Sequence, residues 1–227
     1  MVGAFVRKRL AKALTGQTEI ALCDKIPTRE ELSRRFEDVT ELGIYLHVPF
    51  CRQICPYCPY NKELYCADLA RRYADAVKQE VDFYSSLVGR RPVTSFYIGG
   101  GTPTTMLSNG LADMVEHIRD VFDVRCDMHM ESHPHDLTDD NLDAIMALGV
   151  QHLSTGVESL HDRHLTFLRR PYSAEQAKDA VRRAVDRGFQ CVNADIIFAL
   201  PGQTCREVEE TGRALVDMGV HQVAAYP

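Results

Sequence analysis

The chain has 227 residues, 45% of them hydrophobic, enough apolar material for the core of one large domain. Its net charge is −6 and its one short basic run is VRKRL at residues 6–10, so nucleic acid is a poor candidate for the main partner. No apolar stretch reaches the ~20 residues of a membrane helix, and charges interrupt the N-terminus early, so no integral membrane segment is expected and the expected location is the cytoplasm.

Residues 1–40 read as an N-terminal helical extension, in which FVRKRLAKAL (5–14) has a basic, solvated helical face. From residue 42 onward apolar β-branched segments alternate with amphipathic ones. Strands are expected at 43–48 (GIYLHV), 93–99 (VTSFYIG), 127–132 (DMHMES), 150–157 (VQHLSTGV), 190–200 (QCVNADIIFAL) and 220–226 (VHQVAAY). A helix over 69–88 should bury Leu69, Tyr73, Val77, Val81, Tyr84 and Val88. A second helix over 111–122 should bury Leu111, Met114, Val115, Ile118 and Phe122. Thr138 reads as the N-cap of a helix that Gly149 stops. Ser173–Gln176 and Thr204–Glu207 read as capping boxes of helices ended by Gly188 and Gly219.

Six β-α steps without a hairpin argue for an α/β fold built on a parallel sheet, either an open doubly wound sheet or a barrel. The core domain is expected over 41–227. Because the chain ends on a strand, the last helix of the repeat is missing, as in a C-terminally truncated core.

Eight cysteines are unevenly spread, and Cys51, Cys55 and Cys58 lie within HVPFCRQICPYCPYN at the carboxyl end of the first strand. In parallel α/β folds that end of the strands carries the chemistry. A structural zinc site wants four ligands, commonly in two pairs, and only one short cluster is present. Three thiolates on a four-iron cluster leave one iron without a protein ligand. The amino and carboxylate groups of S-adenosylmethionine are suited to chelate that iron, and an electron from the cluster can break its sulfonium S–C5′ bond. Zinc binding and plain packing of cysteines are the competing readings.

C-x-x-x-C-x-x-C after a first strand resembles the signature of the radical SAM superfamily. FYIGGGTPT (96–104) is similar to the glycine-rich segment that follows the second strand there, and Gly99, Gly100 and Gly101 would let backbone approach a ligand. YLHVPFC, GGGTPT, STGVES and NADIIFALPGQT resemble the group that contains oxygen-independent coproporphyrinogen III oxidase, haem chaperones and several methyltransferases. The resemblance covers residue 43 to the end and implies a six-stranded partial (β/α) barrel.

The same resemblance implies roles. Cys51, Cys55 and Cys58 would hold a [4Fe–4S] cluster, and Tyr45 and Glu131 would contact the S-adenosylmethionine bound to it. Gly100, Gly101 and Thr102 would line the cofactor region. Tyr57, Glu158, Arg170 and Asp195 would contact a second S-adenosylmethionine. His47, on the first strand, and Tyr57 are the candidates for direct participation in the reaction. A tetrapyrrole substrate and an electron donor such as flavodoxin or ferredoxin are implied as partners. The oxidase activity implied is abstraction of hydrogen from a porphyrinogen propionate side chain, with loss of carbon dioxide to leave a vinyl group. C-methyl transfer and haem carriage are the alternatives.

Two positions depart from the oxidases. Glu158 stands where they have glutamine, which changes charge and removes amide donors. Tyr60 stands where they carry a further cysteine, and CPYN (58–61) resembles the haem-chaperone style more closely. His129, His133 and His135 surround Glu131 in sequence and read as part of a polar loop.

Overall fold

The structure, a computed structural model, describes residues 26–227. The basic helix expected over 5–14 lies outside the described residues. The chain divides into two compact units, residues 1–38 and 39–227. In the first, α1 (Arg29–Arg35) opens with a capping box in which the Thr28 hydroxyl accepts from the Glu31 N–H and the Glu31 carboxylate from the Thr28 N–H.

The second unit begins with β1 (Leu42–Val48), then the two-residue strands β2 (Phe50–Cys51) and β3 (Glu63–Leu64), then the long helix α2 (Ala67–Val88). Next come β4 (Pro92–Gly100), α3 (Leu111–Val121), β5 (Asp123–Val124), β6 (Met128–Ser132), α4 (Asp139–Ala147) and β7 (Val150–Glu158). The chain continues through α5 (Asp162–Phe167), α6 (Ala174–Asp186), β8 (Cys191–Ile197), α7 (Cys205–Asp217) and β9 (Gln222–Tyr226). All six expected strands form. The fifth stops at Ile197, short of residue 200, and Ala199 then turns with φ 62° ahead of Pro201.

The main sheet runs β1-β4-β6-β7-β8-β9, every pair parallel, with β5 beside β4. That order settles the choice between barrel and doubly wound sheet. A doubly wound sheet reverses direction at a switch point, which puts helices on both faces. Here each right-handed crossover advances the same way, so the helices share one side and the sheet curls around its other face into a partial barrel.

The helices form for the expected local reasons. Thr138, Ser173 and Thr204 each accept a hydrogen bond from the N–H three residues on, the last two within complete capping boxes. Leu111, Met114, Val115 and Ile118 of α3 are all buried. The stripe expected on α2 needs correction: Leu69 and Tyr84 are exposed, while Ala70 and Ala74 are buried. Small side chains let α2 approach closely, and a Cβ on Gly110 at the start of α3 would lie 3.0 Å from that of Ala74. Behind β7 and β8 a core of Val157, Leu165, Ala177, Val181, Ala194, Ile196 and Leu215 anchors α6 and α7. Each fully buried leucine there is worth about 1.5–3 kcal/mol of transfer free energy. This layer fixes the strand ends from which the polar side chains project.

Candidate functional site at the strand carboxyl ends

The loop carrying the cysteines leaves β1 through Pro49 and returns at β3. Parallel pairing of β2 with β3 closes it, and the Glu63 N–H donates to the Pro49 carbonyl at 2.7 Å and the Tyr65 N–H to the Cys51 carbonyl at 2.9 Å. Within the loop the Cys58 N–H reaches the Cys55 carbonyl at 3.3 Å, and Lys62 Nζ donates to the carbonyls of Cys58 (2.5 Å) and Tyr60 (3.0 Å). The Thr102 hydroxyl points at Cys51 Sγ, 3.5 Å away. These two short strands were not legible as strands, because two residues carry no periodicity.

His47 supports the loop from beneath. Its Nε2 lies 3.2 Å from the Asn61 carbonyl and its Nδ1 3.3 Å from the Tyr45 hydroxyl. A carbonyl only accepts, so Nε2 carries the proton and Nδ1 accepts from Tyr45. The glycine segment is shaped by the same neighbour. Gly100 has φ 119°, and a Cβ there would lie 2.7 Å from the His47 ring; one on Gly101 would lie 2.7 Å from the Pro49 backbone. The Gly101 N–H donates to the Val48 carbonyl and the Thr102 N–H to the Phe50 carbonyl, at 2.7 and 2.8 Å. The glycines therefore let the root of the cysteine loop lie directly on the end of β4, in addition to bordering the cavity.

A cavity of about 470 Å³ opens at these strand ends. Cys51, Cys55, Tyr57, Cys58, Gly100, Gly101, Thr102, Glu131, Glu158, Arg170 and Asp195 all border it; Tyr45, His47 and Gly99 do not. Gly99 lies beneath, where a Cβ would meet the Glu131 carboxylate at 3.0 Å. Tyr45 is exposed on β1 and stacks against Tyr97, with ring centroids 6.0 Å apart.

Four carboxylates border the cavity, and three of them were expected: Glu131, Asp195 and Glu158. Glu131 accepts from the Tyr97 hydroxyl and the Gly100 N–H, both at 2.9 Å. Asp195 accepts from the Ser154 hydroxyl at 3.0 Å and from Asn193 Nδ2 at 2.8 Å. Glu158 accepts from the Tyr57 hydroxyl at 3.2 Å and faces Arg170 at 3.6 Å. Burial pushes all three carboxyl groups above their ordinary pKa, and their hydrogen bonds and, for Glu158, Arg170 pull the other way. A bulge between Gly156 and Glu158 gives Glu158 a φ of 65°, a conformation costly outside glycine. Bulges of this kind re-aim side chains next to active sites.

Several residues of the wall, or packed directly behind it, were not anticipated. Tyr172 donates to the Gly156 carbonyl at 2.7 Å and accepts from Arg170 Nε at 2.7 Å. Arg52 Nε reaches Asp136 at 3.3 Å, and Asp136 accepts from Thr104 at 2.6 Å. Tyr97 could have been found, since alternation along β4 puts it on the same face as Gly99. Arg52, Asp136 and Tyr172 sit in loops, where no periodicity announces them. The histidines of 129–135 do not form one patch. His129 lies within β6, stacked on His152 with ring centroids 4.2 Å apart. His133 is packed against Tyr172, and burial, followed by the charge of Arg170, pushes its pKa down to about 2.

The donor set fits the group expected on it. Two of the three sulfurs receive hydrogen bonds, from Thr102 and from Arg170; burial pushes the Cys51 thiol up, and the bond from Thr102 pulls the other way. Among the described residues no three His, Cys, Asp or Glu side chains converge on one ion. Thiolates that each bind a different iron of a cluster stand farther apart than the ligands of a single ion. The carboxylates favour a cationic ligand, whose charge relieves their burial.

A family model described as the Radical SAM superfamily matches residues 45–215. The chain belongs to the radical SAM superfamily. It is 32% identical over 190 residues to a heme chaperone HemW of Mycobacterium tuberculosis, covering 81% of this chain and 48% of that protein. It is 33% identical over 175 residues to an oxygen-independent coproporphyrinogen III oxidase of Bradyrhizobium diazoefficiens, covering 75% and 39%. The solved coproporphyrinogen III oxidase HemN of Escherichia coli superposes with a TM-score of 0.79 at 26% identity, covering 87% of this chain and 47% of that one. The chain thus spans about half the length of the curated relatives it matches. It is a radical SAM domain related to the coproporphyrinogen oxidase and HemW group, and its cysteine spacing is consistent with a [4Fe–4S] and S-adenosylmethionine site. No described helix is long and apolar enough to cross a membrane.

Proposed function

We propose that this chain is the S-adenosylmethionine-cleaving part of an iron–sulfur oxidoreductase of porphyrin metabolism, with a reaction like that of the oxygen-independent coproporphyrinogen III oxidases. One observation carries the reading: the three cysteines of one loop border the same cavity as the half-buried carboxylates of Glu131, Glu158 and Asp195 and the buried side chain of Arg170. Cys51, Cys55 and Cys58 hold the cluster. When bound, cluster and S-adenosylmethionine together supply a 5′-deoxyadenosyl radical by one-electron cleavage of the sulfonium S–C5′ bond. Glu131, already fixed by Tyr97 and Gly100, has lone pairs left for the cationic end of the nucleoside, and Asp195 adds negative charge nearby. The loop is tied down by Lys62 and His47, which fixes the backbone that carries the three sulfurs.

The test is anaerobic reconstitution with iron, sulfide and reductant, followed by product analysis with S-adenosylmethionine and a porphyrinogen. The expected products are 5′-deoxyadenosine and carbon dioxide from the porphyrinogen. Deoxyadenosine without decarboxylation rules out the oxidase reading, and S-adenosylhomocysteine among the products points to methyl transfer instead. Tyr60, 65% exposed just past the trio, favours a second reading as a haem carrier. A Soret shift on haem titration, with no decarboxylation, supports that reading.

A further inference from the structure

Arg170 presents five N–H donors, and four of them are hydrogen-bonded within the protein. Nε donates to the Tyr172 hydroxyl at 2.7 Å. Nη1 donates to the Tyr57 hydroxyl at 3.1 Å and to Cys55 Sγ at 3.5 Å. Nη2 donates to the Gly156 carbonyl at 2.6 Å and faces the Glu158 carboxylate at 3.6 Å. Two of these partners, Cys55 and Tyr57, lie in the cysteine loop; the others belong to the end of β7 and to Tyr172. The side chain is only 6% exposed, and its neighbour Arg169 contributes its carbonyl to Gln53 of the same loop at 2.7 Å. Four of the guanidinium's donors and its charge are committed to groups of the protein itself. It is well suited to fix one loop against another.

We propose that Arg170 is a positioning residue. It clamps the Cys55–Tyr57 segment onto the end of β7, and its charge at Cys55 Sγ, opposed by Glu158, sets the reduction potential of the cluster. The second half rests on the proposed cluster site. Hydrogen bonds to cluster sulfurs and nearby net charge are among the determinants of such potentials. A cation beside the sulfur stabilises the reduced, more negative cluster and raises the potential; an anion lowers it. Arg170 and Glu158 therefore act with opposite signs on the same couple.

The experiment compares wild type, Arg170→Gln, Arg170→Lys and Glu158→Gln in two states. In metal-free protein, amide hydrogen exchange over residues 53–58 reads the clamp. In reconstituted protein, iron content is checked first, and the potential is then measured by electron paramagnetic resonance titration at several pH values. Exchange should quicken in both Arg170 variants. At matched iron content Arg170→Gln should lower the potential and Glu158→Gln should raise it, each by a tenfold change in the reduced-to-oxidised ratio, about 59 mV for a one-electron couple. Arg170→Lys, which keeps the charge but not the fork, should stay near the wild-type potential. Shifts of the same sign, or none, overturn the electrostatic role, and unchanged exchange overturns the clamp. Wild type that takes up no iron refutes the cluster reading instead, while the exchange comparison still decides the clamp. If Arg170→Gln does not fold, Arg170→Lys and Glu158→Gln carry the test.

Discussion

Two arginine–glutamate pairs behave in opposite ways. On the outer rim, Arg163 grips Glu207 with bonds of 2.5, 2.6 and 2.9 Å, and the same carboxylate accepts from the Thr204 N–H at 2.8 Å. Those bonds, the ones from Arg163 first, hold the Glu207 carboxyl down to about 2. In the cavity, Arg170 stands 3.6 Å from Glu158, its donors are shared among four other partners, and burial drives the Glu158 carboxyl upward. The first pair caps a helix, and its arginine is 56% exposed although its carboxylate is largely covered. The second holds strained, desolvated charge beside the cysteines. Good geometry in water stabilises a fold; poor satisfaction in a buried wall marks a place where a ligand or a mechanism supplies what the fold does not.

The contrast can be broken most decisively at the cysteines. Cys58→Ser should abolish iron uptake and 5′-deoxyadenosine formation while leaving the melting temperature of the metal-free protein unchanged. Iron analysis and a thermal melt check both halves. The opposite pattern is expected behind the sheet. Leu215→Ala empties a fully buried position and should cost about 2–5 kcal/mol in urea unfolding, with iron stoichiometry per folded protein unaltered.

Within the cavity, Glu131→Gln keeps the shape but removes the charge. S-adenosylmethionine affinity should fall about tenfold, or about 1.4 kcal/mol, at equal iron content, as read by equilibrium dialysis. The smallest effect concerns pH. Glu207 is lowered from 4.5 to about 2, so its stabilising contribution is present above pH 4.5 and is lost as pH falls toward 2. The penalty of Glu207→Gln should therefore be flat at neutral pH and vanish on acidification through that window. Glu158 is raised, so the native state keeps its proton longer than the unfolded chain and loses stability as pH rises through the folded value. Glu158→Gln should gain on wild type as pH increases. Urea melts across the pH range would sink the comparison if both variants followed one trend.

Much of the fold was legible because its signals are local. Thr138, Ser173 and Thr204 announce their helices through short-range hydrogen bonds that need no tertiary partner. The apolar stripe of α3 was read correctly, but that of α2 was not, since Ala70 and Ala74 become the buried face only because α3 lies close enough to favour small residues. In the site, eleven of the expected residues border one cavity; the cysteines and glycines follow strands that the alternation announces, whereas Tyr57 and Arg170 were reached only through the family resemblance. Tyr172, Arg52 and Asp136 were missed because their partners are distant in sequence.

The order of residues was enough to determine an alternating α/β chain, its parallel strands and a trio of cysteines at the first strand's carboxyl end. Periodicity, capping and spacing act over a few residues and survive without the rest of the molecule. The single direction of winding, the bulge that turns Glu158 inward and the partners of Arg170 in two separate loops were decided only in three dimensions. Each depends on which strands and loops become neighbours, and that is a property of packing across tens of residues rather than of any short segment.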